Sequence, residues 1–292
     1  MLDILQRDPQ HWIDLGHCQL PHWRIGTGPA LVFVHGWPVH AVTFRNVVAA
    51  LADNFTCHLI DLPLAGRSKW TDATPAGADA LVDALTTALH RMELPPKFGL
   101  VGFDSGGGFA RAAAATMPDR VSGLVLGNTE TPGYHSQRFK LFFKGIQNPL
   151  IRATVPFAMR TRLGRWLMLR DLVADTSRLA PELEELFLDP LLKSPHHLQA
   201  ALQMAAACDA ADFDKLRDAH ARIHAPVKLV WGTDDPWFTL ENCKAMLDQF
   251  AGPVELVEIP GAKLFVHEEH PERFADEIRT HFAPASALRM VG

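Results

Sequence analysis

The chain has 292 residues, 48% of them hydrophobic, which is ample for a packed core and excludes a disordered tail. Lys and Arg number 28 against 33 Asp and Glu, a net charge of −5, so no basic excess exists to hold a phosphate backbone and no nucleic-acid partner is expected. Four scattered cysteines form no CxxC pair, the first residues lack the apolar stretch of a signal peptide, and no window reaches about 18 apolar residues. These features read as a cytoplasmic protein with no membrane partner.

Residues 11–25 read as an antiparallel pair. Residues 30–34 (ALVFV) form the first buried strand, entered through Gly26-Thr-Gly-Pro29. A helical stretch follows at 41–51, then a strand at 56–60 and an amphipathic helix at 77–92. Next come a strand at 98–103, an Ala-rich helix at 107–116 and a strand at 121–126. Much later come a strand at 227–231, a helix at 240–250, a strand at 254–259 and a helix at 271–282. Short β-branched runs alternating with helices predict an α/β fold with a mostly parallel sheet covered on both faces. Residues 134–218 carry no convincing strand and are interrupted by Pro149, Pro156, Pro181, Pro190 and Pro195. They read as a helical cap inserted into a core made of residues 1–133 and 219–292.

In an open α/β sheet, ligands bind where strands end. The strand at 98–103 runs into Gly102-Phe-Asp104-Ser105-Gly106-Gly107-Gly108 and then a helix. This has the form of a nucleophile elbow, whose flanking residues must be small because the turn is sharp. With Asp104 central the flanks are Gly102 and Gly106; with Ser105 central one flank is Phe103, which is too large. Asp104 is therefore the candidate nucleophile and Ser105 its neighbour. The same residues also fit a Gly-rich strand-to-helix turn with Asp104 as an N-cap.

Several motifs in order resemble the α/β-hydrolase fold, and within it the haloalkane dehalogenase and epoxide hydrolase branch, which uses Asp at the elbow. They are His35-Gly36-Trp37-Pro38, Asp61-Leu-Pro-Leu-Ala-Gly66-Arg-Ser68, Leu124-Val-Leu-Gly-Asn128-Thr129, Trp231-Gly232-Thr-Asp234-Asp235 and Gly261-Ala-Lys-Leu264-Phe-Val-His267. The resemblance covers most of the chain. It implies a mechanism in which a carboxylate attacks an electrophilic carbon and expels halide or an epoxide oxygen. A His–acid pair then activates water to hydrolyse the resulting ester.

Carried over residue by residue, the resemblance makes Asp104 the nucleophile and Asp235 the acid, with Asp234 the alternative. The histidine position holds Leu264, which cannot accept a proton. Loss of a general base costs roughly 10²–10⁴-fold, about 3–5 kcal/mol of barrier. His267, three residues on, is a substitute base if that stretch forms a helical turn. Trp37 and Ser105 occupy the oxyanion-hole and leaving-group positions. Trp37 could offer its indole N–H, or simply pack under the cap. The chain has one tyrosine, Tyr134, which counts against epoxide opening; where fluoroacetate dehalogenases carry arginines after the Asp it has Ser105 and Gly108, with only Arg111 nearby, so a small carboxylate substrate is disfavoured. Phe139, Phe142, Phe143, Phe157, Trp166, Leu167, Met168, Phe187 and Met204 make the cap apolar, which suggests a small apolar organic substrate. Basic residues interleave with them, read as a solvated face, or less readily as attraction to an anionic ligand or a membrane surface. No cofactor is expected, and no metal, because the histidines of His267-Glu-Glu-His270 are three apart rather than four. Two alternatives remain: Asp104 as a lone acid or base in a lyase, isomerase or cyclase, and a silent ligand-binding relative.

Overall fold

The computed structural model describes residues 1–283; the last part of the expected core, 284–292, lies outside the described residues. One sheet organises the chain. Its strands are β1 (His11–Asp14), β2 (Cys18–Ile25), β3 (Ala30–Val34), β4 (Thr56–Ile60), β5 (Lys69–Trp70), β6 (Phe98–Gly102), β7 (Val121–Leu126), β8 (Val227–Gly232) and β9 (Val254–Ile259). Their order is β1-β2-β4-β3-β6-β7-β8-β9, with β5 paired to β2. From β4 to β9 every pairing is parallel, while β1, β2 and β5 pair antiparallel. All residues of β3, β4, β6 and β8 are buried, which is why these strands are mostly apolar with no alternation, His58 and Lys228 being buried exceptions.

The helices before the insertion are α1 (Leu2–Gln6), α2 (Arg45–Leu51), α3 (Ala78–Arg91) and α4 (Asp104–Thr116). Those of the insertion are α5 (Gln137–Gln147), α6 (Pro149–Arg160), α7 (Arg162–Leu169), α8 (Thr176–Leu183), α9 (Asp189–Lys193) and α10 (Pro195–Ala206). After it come α11 (Leu216–His220), α12 (Leu240–Met246), α13 (Val266–Glu269) and α14 (Pro271–Phe282). Residues of β6 alternate between faces. A Cβ on Gly99 would meet Phe282 of α14, whereas one on Gly102 would meet the α4 backbone at Gly106 and Gly107. Positions 99 and 102 point oppositely, so α4 and α14 lie on opposite faces of the sheet.

No strand occurs between β7 and β8 among the described residues, and helices fill the interval. The prolines there help to start helices as much as to interrupt them. Pro149 and Pro195 sit at helix starts, where the missing N–H costs nothing. Asn148 caps α6 by accepting from Leu150 N and Ile151 N, and Ser136 caps α5 at Phe139 N. Pro156 and Pro181 fall inside α6 and α8, so those helices run through positions that read as interruptions. Other bounds also shift: the predicted 41–51 helix divides into a 3₁₀ turn and α2, and the 107–116 helix begins at Asp104.

Cys57 reads from sequence as a small buried hydrophobe, and on β4 it is fully buried, its thiol pushed up to about 12. Beside it, β2 and β4 bring His22 and His58 together, Nε2 to Nδ1 at 2.9 Å, with both rings buried. One ring donates and the other accepts, so the accepting ring is neutral. Burial first, then the neighbouring charge, pushes His22 down to about 3 and His58 to about 4. In the unfolded chain each binds its proton near pH 6.5. The unfolded state therefore holds more protons below that value. The stability this pair confers is complete above about pH 6.5 and is lost as pH falls towards 4. His22→Gln should flatten the pH dependence of the urea midpoint between pH 6 and 4 by roughly one proton, about 1.4 kcal/mol per pH unit. An unchanged slope would contradict this reading.

Candidate functional site

The strand order reverses between β3 and β6, whose carboxyl ends lie side by side, and in such sheets ligands bind at this switch point. The loop after β3 begins His35-Gly36-Trp37, and β6 leads through Phe103 into α4. Asp104 opens α4 with φ 48°, in the left-handed region that an L-residue occupies only when its surroundings hold it there. A Cβ on Gly106 would lie 2.3 Å from the carbonyl oxygens of Val34 and His35, so only glycine fits that flank. A Cβ on Gly36 would lie 2.4 Å from Asp104 Oδ2, so the missing side chain lets the β3 loop reach the carboxyl.

The Asp104 carboxyl is tied to that loop. Trp37 N donates to Oδ2 at 2.8 Å, and the backbone N–H of Ser105 favours the charged form as well. The backbone is anchored too: Asp104 N donates to Asn128 O, and Thr129 Oγ1 lies 2.8 Å from Asp104 O. Two motifs prove to be scaffolding for this loop. His35 Nε2 accepts from Leu62 N, so Nδ1 carries the proton and donates to Gly36 O. Asp61 accepts from Ala41 N and Arg67 N, clamping the β3 and β4 loops together.

Asp104 lines a cavity of about 280 Å³ beneath the cap. Six phenylalanines contribute to its wall, and its charged residues are Asp104, Glu130 and Asp171. No histidine lines it. Leu264 forms part of the wall, so the position where the resemblance requires an imidazole faces the cavity with a butyl group. Of the cap residues expected there, Phe139, Phe142, Phe143, Leu167, Met168 and Met204 line it. Phe157 and Trp166 instead point to solvent, and Phe187 lines a neighbouring cleft.

Asp235 is buried and does not line the cavity. It accepts from Trp237 N at 2.7 Å and Asn128 Nδ2 at 2.9 Å, yet burial still pushes its carboxyl up to about 7. Asn128 is fixed in turn by Gly232 N. Asp234, the alternative acid, is exposed. The segment with Leu264 abuts these residues: Asp234 N donates to Ala262 O, and Gly261 N to Thr233 Oγ1.

His267 requires a correction. A helical turn spanning both residues would return it to the face of Leu264. The turn, α13, starts only at Val266, and His267 points into the core instead. Its ring lies 3.9 Å from that of Phe103 and also contacts Phe44, Phe265 and Phe274. Nε2 lies 2.8 Å from Thr43 Oγ1, and Nδ1 is buried without a partner. Burial, with help from the Arg45 charge, depresses its pKa well below the usual value. The histidine is neutral and outside the cavity, so it cannot serve there as a base.

Of the two roles expected for the Trp37 indole, leaving-group donor or packing under the cap, the structure shows the second. The indole Nε1 donates to Ala201 O of α10 at 2.9 Å, and is spent holding the cap rather than free for a leaving group. The Trp37 backbone N–H is the group that meets Asp104. Ser105 lines the cavity with a buried Oγ that has no partner.

Two residues escaped the sequence reading. Glu130, just past the strand-end motif, is buried and lines the cavity. Its Oε2 lies 2.7 Å from Thr129 Oγ1 and 3.6 Å from Arg111, which is itself buried and absent from the cavity wall. Burial raises the pKa of both Asp104 and Glu130, Asp104 most, and Glu130 is the next cause of the Asp104 rise. Trp237 also lines the cavity, and its buried Nε1 has no partner. The only signal for it in the sequence is its place two residues after Asp235. No group of three or more His, Cys, Asp or Glu able to hold a metal occurs among the described residues. No helix among them is long and apolar enough to cross a membrane.

Known proteins resemble the chain over nearly its whole length. The model of the alpha/beta hydrolase family matches residues 31–277. The pimeloyl-[acyl-carrier protein] methyl ester esterase of Nitrosospira multiformis is 28% identical over 268 residues, 90% of this chain and 98% of that protein. Haloalkane dehalogenase 2 of Mycobacterium bovis is 25% identical over 94% of this chain and 97% of its own. An alpha/beta hydrolase fold protein from Burkholderia ambifaria superposes with a TM-score of 0.77 at 22% identity, covering 93% of this chain and 97% of that one.

Proposed function

The chain belongs to the alpha/beta hydrolase family, and from that premise we propose that Asp104 is a nucleophile that attacks an electrophilic carbon of a small apolar substrate, as in haloalkane dehalogenases. The observation that carries this reading is the Asp104 carboxyl, held by the Trp37 N–H at an apolar cavity. An esterase-type reading needs a hydroxyl at the elbow, and the strained position is occupied by Asp104 rather than Ser105. An epoxide reading needs a phenol, and Tyr134 is exposed and absent from the cavity wall.

In the reaction, one Asp104 oxygen forms a bond to the substrate carbon while the carbon–halogen bond breaks and halide departs with its electron pair. The Trp37 backbone N–H holds the other oxygen, Oδ2, and the Ser105 backbone N–H also favours the ionised carboxyl. Trp237 and Ser105 line the cavity with buried donors, Nε1 and Oγ, that have no partner, and a small side-chain rotation would turn either towards the anion. The product is an alkyl ester on Asp104. With Leu264 in the wall and His267 outside it, the hydrolysis of that ester lacks an imidazole base. The protein therefore performs one rapid half-reaction and then stalls. Halide release from a panel of bromoalkanes tests this. The expected result is a burst of one equivalent followed by slow or no release; no burst with any bromoalkane would contradict it.

The carboxyl pair predicts the pH dependence. Asp104 attacks only when ionised, and its pKa is raised by burial and by Glu130. The burst rate should therefore rise with pH as Asp104 loses its proton. Glu130→Gln removes the like charge and should move this rise to lower pH. A rise that stays in place in the variant would show that the two carboxyls do not couple.

A further inference from the structure

The first half of the cap differs in composition from the rest of the chain. Residues 131–170 contain eight Lys and Arg and no Asp or Glu, within a protein of net charge −5. Five of the eight, Lys140, Lys144, Arg152, Arg160 and Arg162, form no ion pair among the described residues. The same stretch holds eight of the ten exposed large hydrophobic residues among the described residues. Leu150 and Phe157 are 79% and 76% exposed, and lie seven residues apart on α6, on one face. Leu163, Trp166 and Leu167 recur at helical spacing on α7, which packs against α6. The cap helices thus have one apolar side over the cavity and a second facing water. Ordinary cap packing accounts only for the first.

Aromatic and aliphatic side chains among unpaired Lys and Arg are the composition of a helix surface that lies in a lipid interface. We propose that the α5–α7 face of the cap docks on an anionic phospholipid bilayer, with Leu150, Phe157 and Trp166 entering the headgroup–acyl boundary. A second copy of the chain meeting this face symmetrically would oppose five unpaired positive charges with five, which disfavours that occupant by charge. The absence of a membrane partner expected from sequence rests on the lack of a spanning segment, and a peripheral contact needs none. Leu167 links this surface to the interior, since it lines the cavity and is 47% exposed. An apolar molecule dissolved in the bilayer would therefore meet the cavity wall directly.

The test is sedimentation of the full chain with vesicles of phosphatidylcholine alone and of phosphatidylcholine mixed with phosphatidylglycerol. It needs no Asp104 chemistry, so its outcome is independent of the nucleophile reading. Binding to the mixed vesicles, weakened by salt, is expected. The pair Arg160→Glu and Arg162→Glu should weaken it by about tenfold or more. Phe157→Ser with Leu150→Ser should weaken it without loss of the folded circular dichroism spectrum, because both side chains already face water. Failure to bind either vesicle, or equal binding to both without a salt effect, would overturn the proposal. So would retention on polyglutamate without vesicle binding, which would assign the surface to an acidic protein.

Discussion

If Asp104 is the proposed nucleophile, Leu264→His should convert a single release of halide into continuous turnover. The substitution puts an imidazole at the cavity wall, on the segment that is hydrogen-bonded to the loop carrying Asp235. Asp235 would then gain the cationic partner that it lacks. Its carboxyl, pushed up to about 7 by burial, should fall back once an imidazolium stands beside it. A general base contributes roughly 10²–10⁴-fold, so steady-state halide release should rise by about that factor while the burst rate changes little. The separation of the two phases is the informative part. A variant with a faster burst and unchanged steady state would place the histidine wrongly. Adding Asp235→Asn to Leu264→His should remove most of the gain.

Asp104→Asn should abolish both phases. Asparagine is nearly isosteric and tolerates the left-handed conformation that Asp104 adopts at φ 48°, so the elbow should keep its shape. The amide cannot attack carbon usefully and cannot form the ester. A burst that survives Asp104→Asn would move the chemistry elsewhere, and Glu130 is the buried carboxyl in the cavity wall. The melting temperature of the variant should not fall. Replacing the carboxylate by an amide removes a desolvation penalty, and the amide oxygen can still accept from the Trp37 N–H.

The parts of this site that are legible in the sequence are those fixed by sterics and spacing. A sharp turn between β6 and α4 requires small flanks, so Gly102 and Gly106 single out Asp104 by residue size alone. Asp235 follows from its distance to Gly232, and burial separates it from exposed Asp234. Side-chain direction is not legible in the same way. Helical periodicity would bring His267 to the face of Leu264, but that periodicity starts at Val266, beyond Leu264, so the two side chains point to different places. The indole of Trp37 could face a ligand or the cap, and only the position of Ala201 decides between them. Glu130 stands in a strand-end loop with no periodicity to orient it. Its importance comes from three neighbours distant in sequence: Arg111, Asp104 and the cap. The insertion is legible as helical because it lacks β-branched runs. Which of its apolar residues face the cavity and which face water depends on how α5, α6 and α7 are rotated, and Phe157 and Trp166 fall on the outer side.

Asp104 is proposed to make a covalent ester that this chain cannot readily hydrolyse, since no histidine lines the cavity. Intact-mass spectrometry after exposure to a bromoalkane, followed by peptide mapping, reads this directly. The predicted result is a gain of one alkyl group less a proton, located at Asp104, persistent in the native chain and transient in Leu264→His. An unmodified Asp104 after halide has been released, or an adduct on another residue, would contradict it.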